Sequence, residues 1–196
     1  MRTIEVEGSS KILAKPDSME ISLDLIYEDE SYTNALNSLR KDHLALIRNF
    51  NEIGFESARL KTTALDINVL SAYDDKPKRF RLAQKFVYRD YVNMDKLSLL
   101  LDKIDIKYYM NFSIDYYSSK MESQVEEALI LALKDARHKA SVLAAEADCK
   151  VHELISIKEN DEHMPSMLRT MQADFVSSTP DDISLNKRIT TKWSIK

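Results

Sequence analysis

Glycine is almost absent from this chain: Gly8 and Gly54 are the only two in 196 residues. Neither GxGxxG nor GxxxxGK followed by Ser or Thr can be written with them, so dinucleotide and P-loop chemistry are excluded. Cysteine is scarcer still. Cys149 stands alone, which rules out an intramolecular disulfide and a cysteine-rich zinc site. It reads as a small, half-buried residue after a helix. Long apolar runs are missing, and no stretch approaches the ~20 residues of a membrane span. The opening Met1-Arg2-Thr3-Ile4-Glu5-Val6-Glu7 alternates apolar and charged residues, unlike the apolar block of a signal peptide. Read as it stands, the chain is expected in the cytoplasm. Trimming of an export signal would place it in the periplasm or cell envelope.

An excess of positive charge is also missing. The formal net charge is -4, so the protein has no long-range attraction for a phosphate backbone. Lys76, Lys78, Arg79 and Arg81 form a local basic cluster that reads as a solvated hairpin tip. Apolar residues make up 44% and charged residues 31%, as in an ordinary soluble globular protein. A chain of this length can bury roughly 70% of its unfolded surface.

Periodicity then divides the chain. Residues 3–13 alternate and form a first strand, with Gly8 as a point where it could bend. Pro16-Asp17 marks a turn. In 18–27 Met19, Ile21, Leu23, Leu25 and Tyr27 share one face while Ser18, Glu20, Ser22 and Asp24 share the other, a sheet covered on one side. Residues 31–53 switch to helical spacing through Leu36, Leu39, His43, Leu46, Ile47, Phe50 and Ile53. Gly54 sits at the position of a helix C-cap. Strands follow at 59–72 and 79–92, joined by the polar turn 73–78 as a hairpin. A short helix, 94–104, turns Leu97, Leu100, Leu101 and Ile104 inward.

Residues 106–117 alternate again, followed by a long helix over 120–147 and strands at 151–158 and 187–195. From 18 to 117 the order is βαββαβ, so the fold class is α+β with a ferredoxin-like core. The long helix and the strands from both chain ends (1–14 and 118–196) form a second, smaller part of the same 1–196 unit. The stretch 159–186 is polar but carries Met164, Met167, Met171 and Phe175. A loop this long is usually functional or disordered, and its methionines suit a soft contact surface.

These features together resemble the SIMPL domain family. The carriers are the opening strand with Gly8, the Pro16-Asp17 pair, Gly54-Phe55, Thr62 or Thr63, Tyr73 at a strand end, and the closing Trp193. To them is added an alanine at every fourth position of the long helix: Ala128, Ala132, Ala136, Ala140 and Ala144. The resemblance spans about residues 3–195. It implies a bacterial protein, often exported, in some cases tied to oxidative-stress defence and in some branches assembled into rings. The chain differs from the usual pattern in its few glycines near the first strands and in its lack of an export signal. The family brings no established catalytic residues.

The reactive residue types do not converge in the sequence. His43, His138, His152 and His163 are far apart, with neither HExxH nor HxH, and zinc needs three or four converging ligands. Ser9-Ser10, Ser118-Ser119 and Ser177-Ser178 lie in no GxSxG elbow. Asp74-Asp75, Glu126-Glu127 and Asp181-Asp182 are sequence neighbours whose side chains point apart on a strand or helix. Tyr108, Tyr109, Tyr116 and Tyr117 sit on both faces of one strand, without the glycine and basic residues of an RNA-recognition motif. Tyr109 and Tyr117 suggest that the strand's second face is also partly covered. The alanine stripe reads as helix-on-sheet packing within one chain, with a seam between subunits as the other use. The expectation is a non-catalytic, self-associating binding or scaffold protein. No catalytic, cofactor-binding or metal-binding residue is assigned, and no nucleic acid is expected as partner. The alternative is a small-ligand protein or enzyme with a cleft between the two parts.

Overall fold

A computed structural model describes residues 2–71, 77–104, 109–160 and 179–196. Among these described residues, seven strands and three helices follow in the order β1(Arg2–Ala14), β2(Ser18–Asp29), α1(Tyr32–Ile53), β3(Lys61–Leu70), β4(Arg79–Tyr91), α2(Met94–Lys103), β5(Tyr109–Tyr117), α3(Met121–Glu146), β6(Val151–Asn160) and β7(Ile183–Ile195). A single 3-10 turn, Ser57–Arg59, precedes β3. The described residues divide into two compact units: one spans 18–116, and the other is drawn from 2–17, 117–160 and 181–196.

The first unit is ferredoxin-like. Its sheet order is β3-β4-β2-β5. Both β2 and β3 run antiparallel to β4, which lies between them, the split βαβ arrangement expected from the sequence. The alternation in β2 is realised: Met19, Ile21, Leu23 and Leu25 are all but fully buried. They meet Leu46 and Phe50 of α1, Leu82, Phe86 and Tyr88 of β4, and Leu97 and Leu100 of α2. Each such side chain contributes roughly 1.5–3 kcal/mol on burial. Phe50, Phe55 and Tyr88 form an aromatic cluster with ring centroids 5.0 to 5.5 Å apart.

Local chemistry sets the ends of these helices. Gly54 adopts φ 86°, a left-handed conformation that a Cβ disfavours. It closes α1 with the Phe55 amide donating to the Phe50 carbonyl at 2.9 Å, a Schellman cap. Asn93 caps α2 by accepting from the Lys96 amide at 2.9 Å. The expected hairpin is present as antiparallel β3 and β4, with an irregularity between Thr62 and Ala64. Thr63 is thus the extra residue of a β-bulge.

The second unit is a three-stranded antiparallel sheet, β1-β7-β6, with α3 across β1 and β7. All 13 residues of β1 pair with β7, from Arg2↔Ile195 to Ala14↔Ile183. The alanine stripe is fully buried. Ala132, Ala136 and Ala140 pack with Val6, Ile189 and Trp193. The stripe therefore serves helix-on-sheet packing inside the chain. Trp193 donates from Nε1 to the Thr191 hydroxyl at 2.9 Å, which satisfies its one polar group in the core. Without a glycine at its end, α3 stops at Asp148, which takes φ 49° while the Cys149 amide donates to the Ala144 carbonyl at 2.8 Å.

Three expectations change. Gly8 does not bend β1, whose pairing runs through it without a shift. It is a point of contact with Ala132 and Ala136 of α3. The last strand begins at Ile183 rather than 187, because β1 offers a partner along its whole length. The long segment between β6 and β7 is therefore 161–182 rather than 159–186. Within it Met164, Met167, Met171 and Phe175 lie outside the described residues, as do Tyr73 and residues 105–108.

Candidate interaction surface

Among the described residues, those named from sequence for chemistry are not brought together. His43 lies on α1 with its ring 4.8 Å from that of Phe86, and burial lowers its pKa. His138 is exposed on α3 and His152 lies on β6, 3.8 Å from Glu153. His163 lies outside the described residues. Among the described residues, no group of three His, Cys, Asp or Glu side chains could hold a metal ion. Glu126, Glu127, Asp181 and Asp182 are exposed, whereas Asp74 and Asp75 are outside the described residues. Cys149 is half-buried, with the Arg2 guanidinium 3.9 Å from its sulfur.

The serines serve as links. Ser10 Oγ donates to the Ala128 carbonyl of α3 at 2.7 Å. The Ser9 amide donates to Asp135 at 2.8 Å. Ser119 donates from its amide at 2.8 Å and from its hydroxyl at 2.5 Å to the Asp17 carboxylate. The Asp17 amide in turn donates to the Tyr117 carbonyl at 2.9 Å. Ser177 and Ser178 fall outside the described residues. The basic cluster is partly matched: Arg79 and Arg81 lie 3.7 and 3.6 Å from Glu28, and Lys78 sits over the Phe80 ring at 5.5 Å. Lys76 is outside the described residues.

One polar cluster gave no signal in the sequence. Tyr88 donates to Asp90 at 2.7 Å, and Arg59 bridges Asp90 and Glu56 at 2.8 Å each. Burial and the hydrogen bond to Asp90 push the Tyr88 phenol well above its ordinary range. Burial alone would raise Asp90. The bonds from Tyr88 and the Tyr91 amide, with the charge of Arg59, hold it below the usual carboxylate range. Arg59 and Asp90 are 31 residues apart, and only the pairing of β3 with β4 brings them into reach.

Asp115 is the second surprise. Its alternation places it on the polar face of β5, yet it is 4% exposed. Ser113 and Tyr117 on that face are half-buried, so the face is covered in part, as the tyrosines suggested. Burial, then the charge of Glu20, raises the Asp115 pKa.

One exposed apolar feature lies on a sheet edge. β3 is an edge strand of its sheet. Leu65, Ile67 and Val69 stand opposite Gln84, Leu82 and Phe80, and opposite residues share a face. They therefore lie on the side that carries the helices. α1, however, packs over β2 and β4. Leu65, Ile67 and Val69 are left 54%, 49% and 53% exposed. Two concavities, about 530 and 550 Å3, are present elsewhere. The first is lined by Glu28, Asp29, Glu30 and Arg79, and the second includes Glu7, Lys11 and Arg188. Both are mixed-charge surface hollows. Among the described residues no helix is long and apolar enough to cross a membrane.

A ferredoxin-like βαββαβ unit, joined to a three-stranded sheet and an alanine-faced helix drawn from both chain ends, defines an α+β class. The chain belongs to the SIMPL family, described as a protein of unknown function (DUF541), whose profile matches residues 4–193. A search of curated proteins finds no match.

Proposed function

We propose that this protein is a non-catalytic, self-associating binding or scaffold module. The observation that carries the reading is the β3 edge. Among the described residues β3 has a neighbouring strand on one side only, and three large apolar residues stand exposed along it. Natural sheets blunt such edges with charge, proline or bulges because they template pairing with another chain. Between Ala64 and Leu70 the only charge is Asp66, and it lies on the face opposite the apolar row. An exposed edge of this kind is suited to a protein partner.

Sedimentation velocity and light scattering across a wide concentration range test the proposal. The expected result is a concentration-dependent assembly. A strict monomer at every concentration, with no protein retained in pull-downs, overturns it. A role in stress defence is a separate reading that rests on the family resemblance alone. It predicts that cells lacking the protein are more sensitive to peroxide, and unchanged sensitivity removes it.

A further inference from the structure

We infer that β3 is itself the seam between copies: two chains pair β3 antiparallel about a two-fold axis through Ile67, fusing two four-stranded sheets into one of eight strands. The inference rests on the proposed self-association and names its surface and its occupant, a second copy of this chain.

The first argument is a comparison of edges. The two sheets present four, namely β3, β5, β1 and β6. In β5 the described side chains from Phe112 to Tyr117 are buried or half-buried. Along β1, Glu5, Glu7 and Lys11 are exposed. β6 has exposed Leu154, Ile155 and Ile157, but it is interrupted by register shifts on both sides of Leu154 and carries Glu153, Lys158 and Glu159. These are the devices that discourage pairing. β3 has its single bulge at Thr63, leaving Ala64 to Leu70 as a regular ribbon. Such a ribbon, with three large exposed apolar residues, a single charge and no proline, is a hazard unless it is closed by a defined partner.

The second argument is self-complementarity. Closed two-fold dimers place the same surface on both sides, so residue i meets j and j meets i. Pairing about Ile67 sets Ile67 against Ile67, Leu65 against Val69, Asp66 against Asn68 and Ala64 against Leu70. Because all these partners are an even number of residues apart, matched residues share a face. Both helix layers then lie on the same side. Leu65, Ile67 and Val69 of the two copies form one apolar trough flanked by the two α1 helices. On the other face each Asp66 meets an amide rather than a like charge. Moving the axis to Asp66 would oppose two carboxylates, which is unfavourable. Moving it to Asn68 would set Leu65 against Ser71 and Asp66 against Leu70.

The test uses the full chain and three variants. Ile67→Lys places a charge in the trough and is expected to weaken self-association at least about tenfold, because an unpaired charge would be buried. Ile67 is half exposed in the single chain, so circular dichroism should show an unaltered fold. Ile157→Lys on β6 is the control and should associate like wild type. In case Ile67→Lys fails to fold, Ile67→Cys combined with Cys149→Ser is oxidised: the axis puts the two thiols side by side, and a covalent dimer should form. Loss of assembly in Ile67→Lys, or a rapid cross-link at 67, supports the seam. Assembly that survives Ile67→Lys overturns the seam while self-association stands, whichever way Ile157→Lys behaves. So does the lack of a cross-link in a self-associating protein. A wild-type chain that is monomeric throughout overturns both readings.

Discussion

Gly8 in β1 and Ala136 in α3 face each other with no room for another methyl. A Cβ built on Gly8 would lie 2.6 Å from the Ala136 Cβ and 2.1 Å from the Ala132 carbonyl oxygen. The alanine stripe lets the helix axis come this close, and the glycine completes the approach. Protein interiors are packed densely enough that one methylene is felt.

Gly8→Ala should therefore destabilise the protein by about 1–3 kcal/mol or more, the range for overpacking a filled core. Denaturant titration measures it. Ala136→Gly in the same chain should not restore stability, since the Ala132 backbone carbonyl still blocks the site. Full rescue would show that the contact is side chain against side chain only.

Asp17 accepts two hydrogen bonds from Ser119. Bonds to charged acceptors are worth roughly 1.5–3 kcal/mol. Asp17→Ala should cost about that much, and Asp17→Asn less, because the amide oxygen still accepts. Equal stability of the alanine variant and wild type would mean that water replaces both bonds without loss.

Asp115 predicts a pH dependence of a definite sign. Its folded pKa is raised, by burial first and by Glu20 second. The folded state then favours the protonated acid. The contribution to stability is greatest below the unfolded carboxylate pKa and falls as pH rises through the folded value. Asp115→Asn, which mimics the neutral acid, should stabilise the protein at neutral pH and lose that advantage in acid. Thermal unfolding at several pH values decides the sign.

Asp135 should behave in the opposite way. The hydrogen bond from Lys139, then that from the Ser9 amide, lowers its pKa. Its contribution is present above the unfolded carboxylate pKa and lost as pH falls through the folded value. Asp135→Asn should thus lower stability near neutrality and flatten the acid side of the profile. Two-dimensional NMR titration of the carboxyl resonances of Asp115 and Asp135 should move them apart in opposite directions.

Tyr88→Phe removes the donor to Asp90 from a fully buried ring. A loss of about 1 kcal/mol is expected. Because the folded phenol is raised, wild-type stability should also fall as pH rises above the unfolded tyrosine range and the unfolded chain ionises. The phenylalanine variant should show less of that alkaline loss in urea titrations.

The element order was legible from side-chain period. The helix from 31 to 53 is marked by apolar spacing and by Gly54, whose left-handed φ closes it. The strand from 18 is marked by Met19, Ile21, Leu23, Leu25 and Tyr27 in strict alternation. Where the reading failed, distant contacts had decided the outcome. Ile183 joins β7 because Ala14 is there to pair with it. Asp115 has a polar period and a buried position, since a face's exposure depends on what covers it. The Arg59–Asp90 pair could not be found from spacing, because two strands must first align.

By itself, then, the sequence determined the α+β class, the ferredoxin-like order, the family features and the buried alanine stripe. All of these follow from short-range periodicity and from the backbone preferences of single residues. Tertiary structure alone decided that Gly8 serves close packing rather than a bend, and that α1 stops short of β3 and leaves Leu65, Ile67 and Val69 in water. The physical reason is that burial belongs to the arrangement of whole layers: an alternating strand announces which residues share a face but not whether a helix is wide enough to cover it.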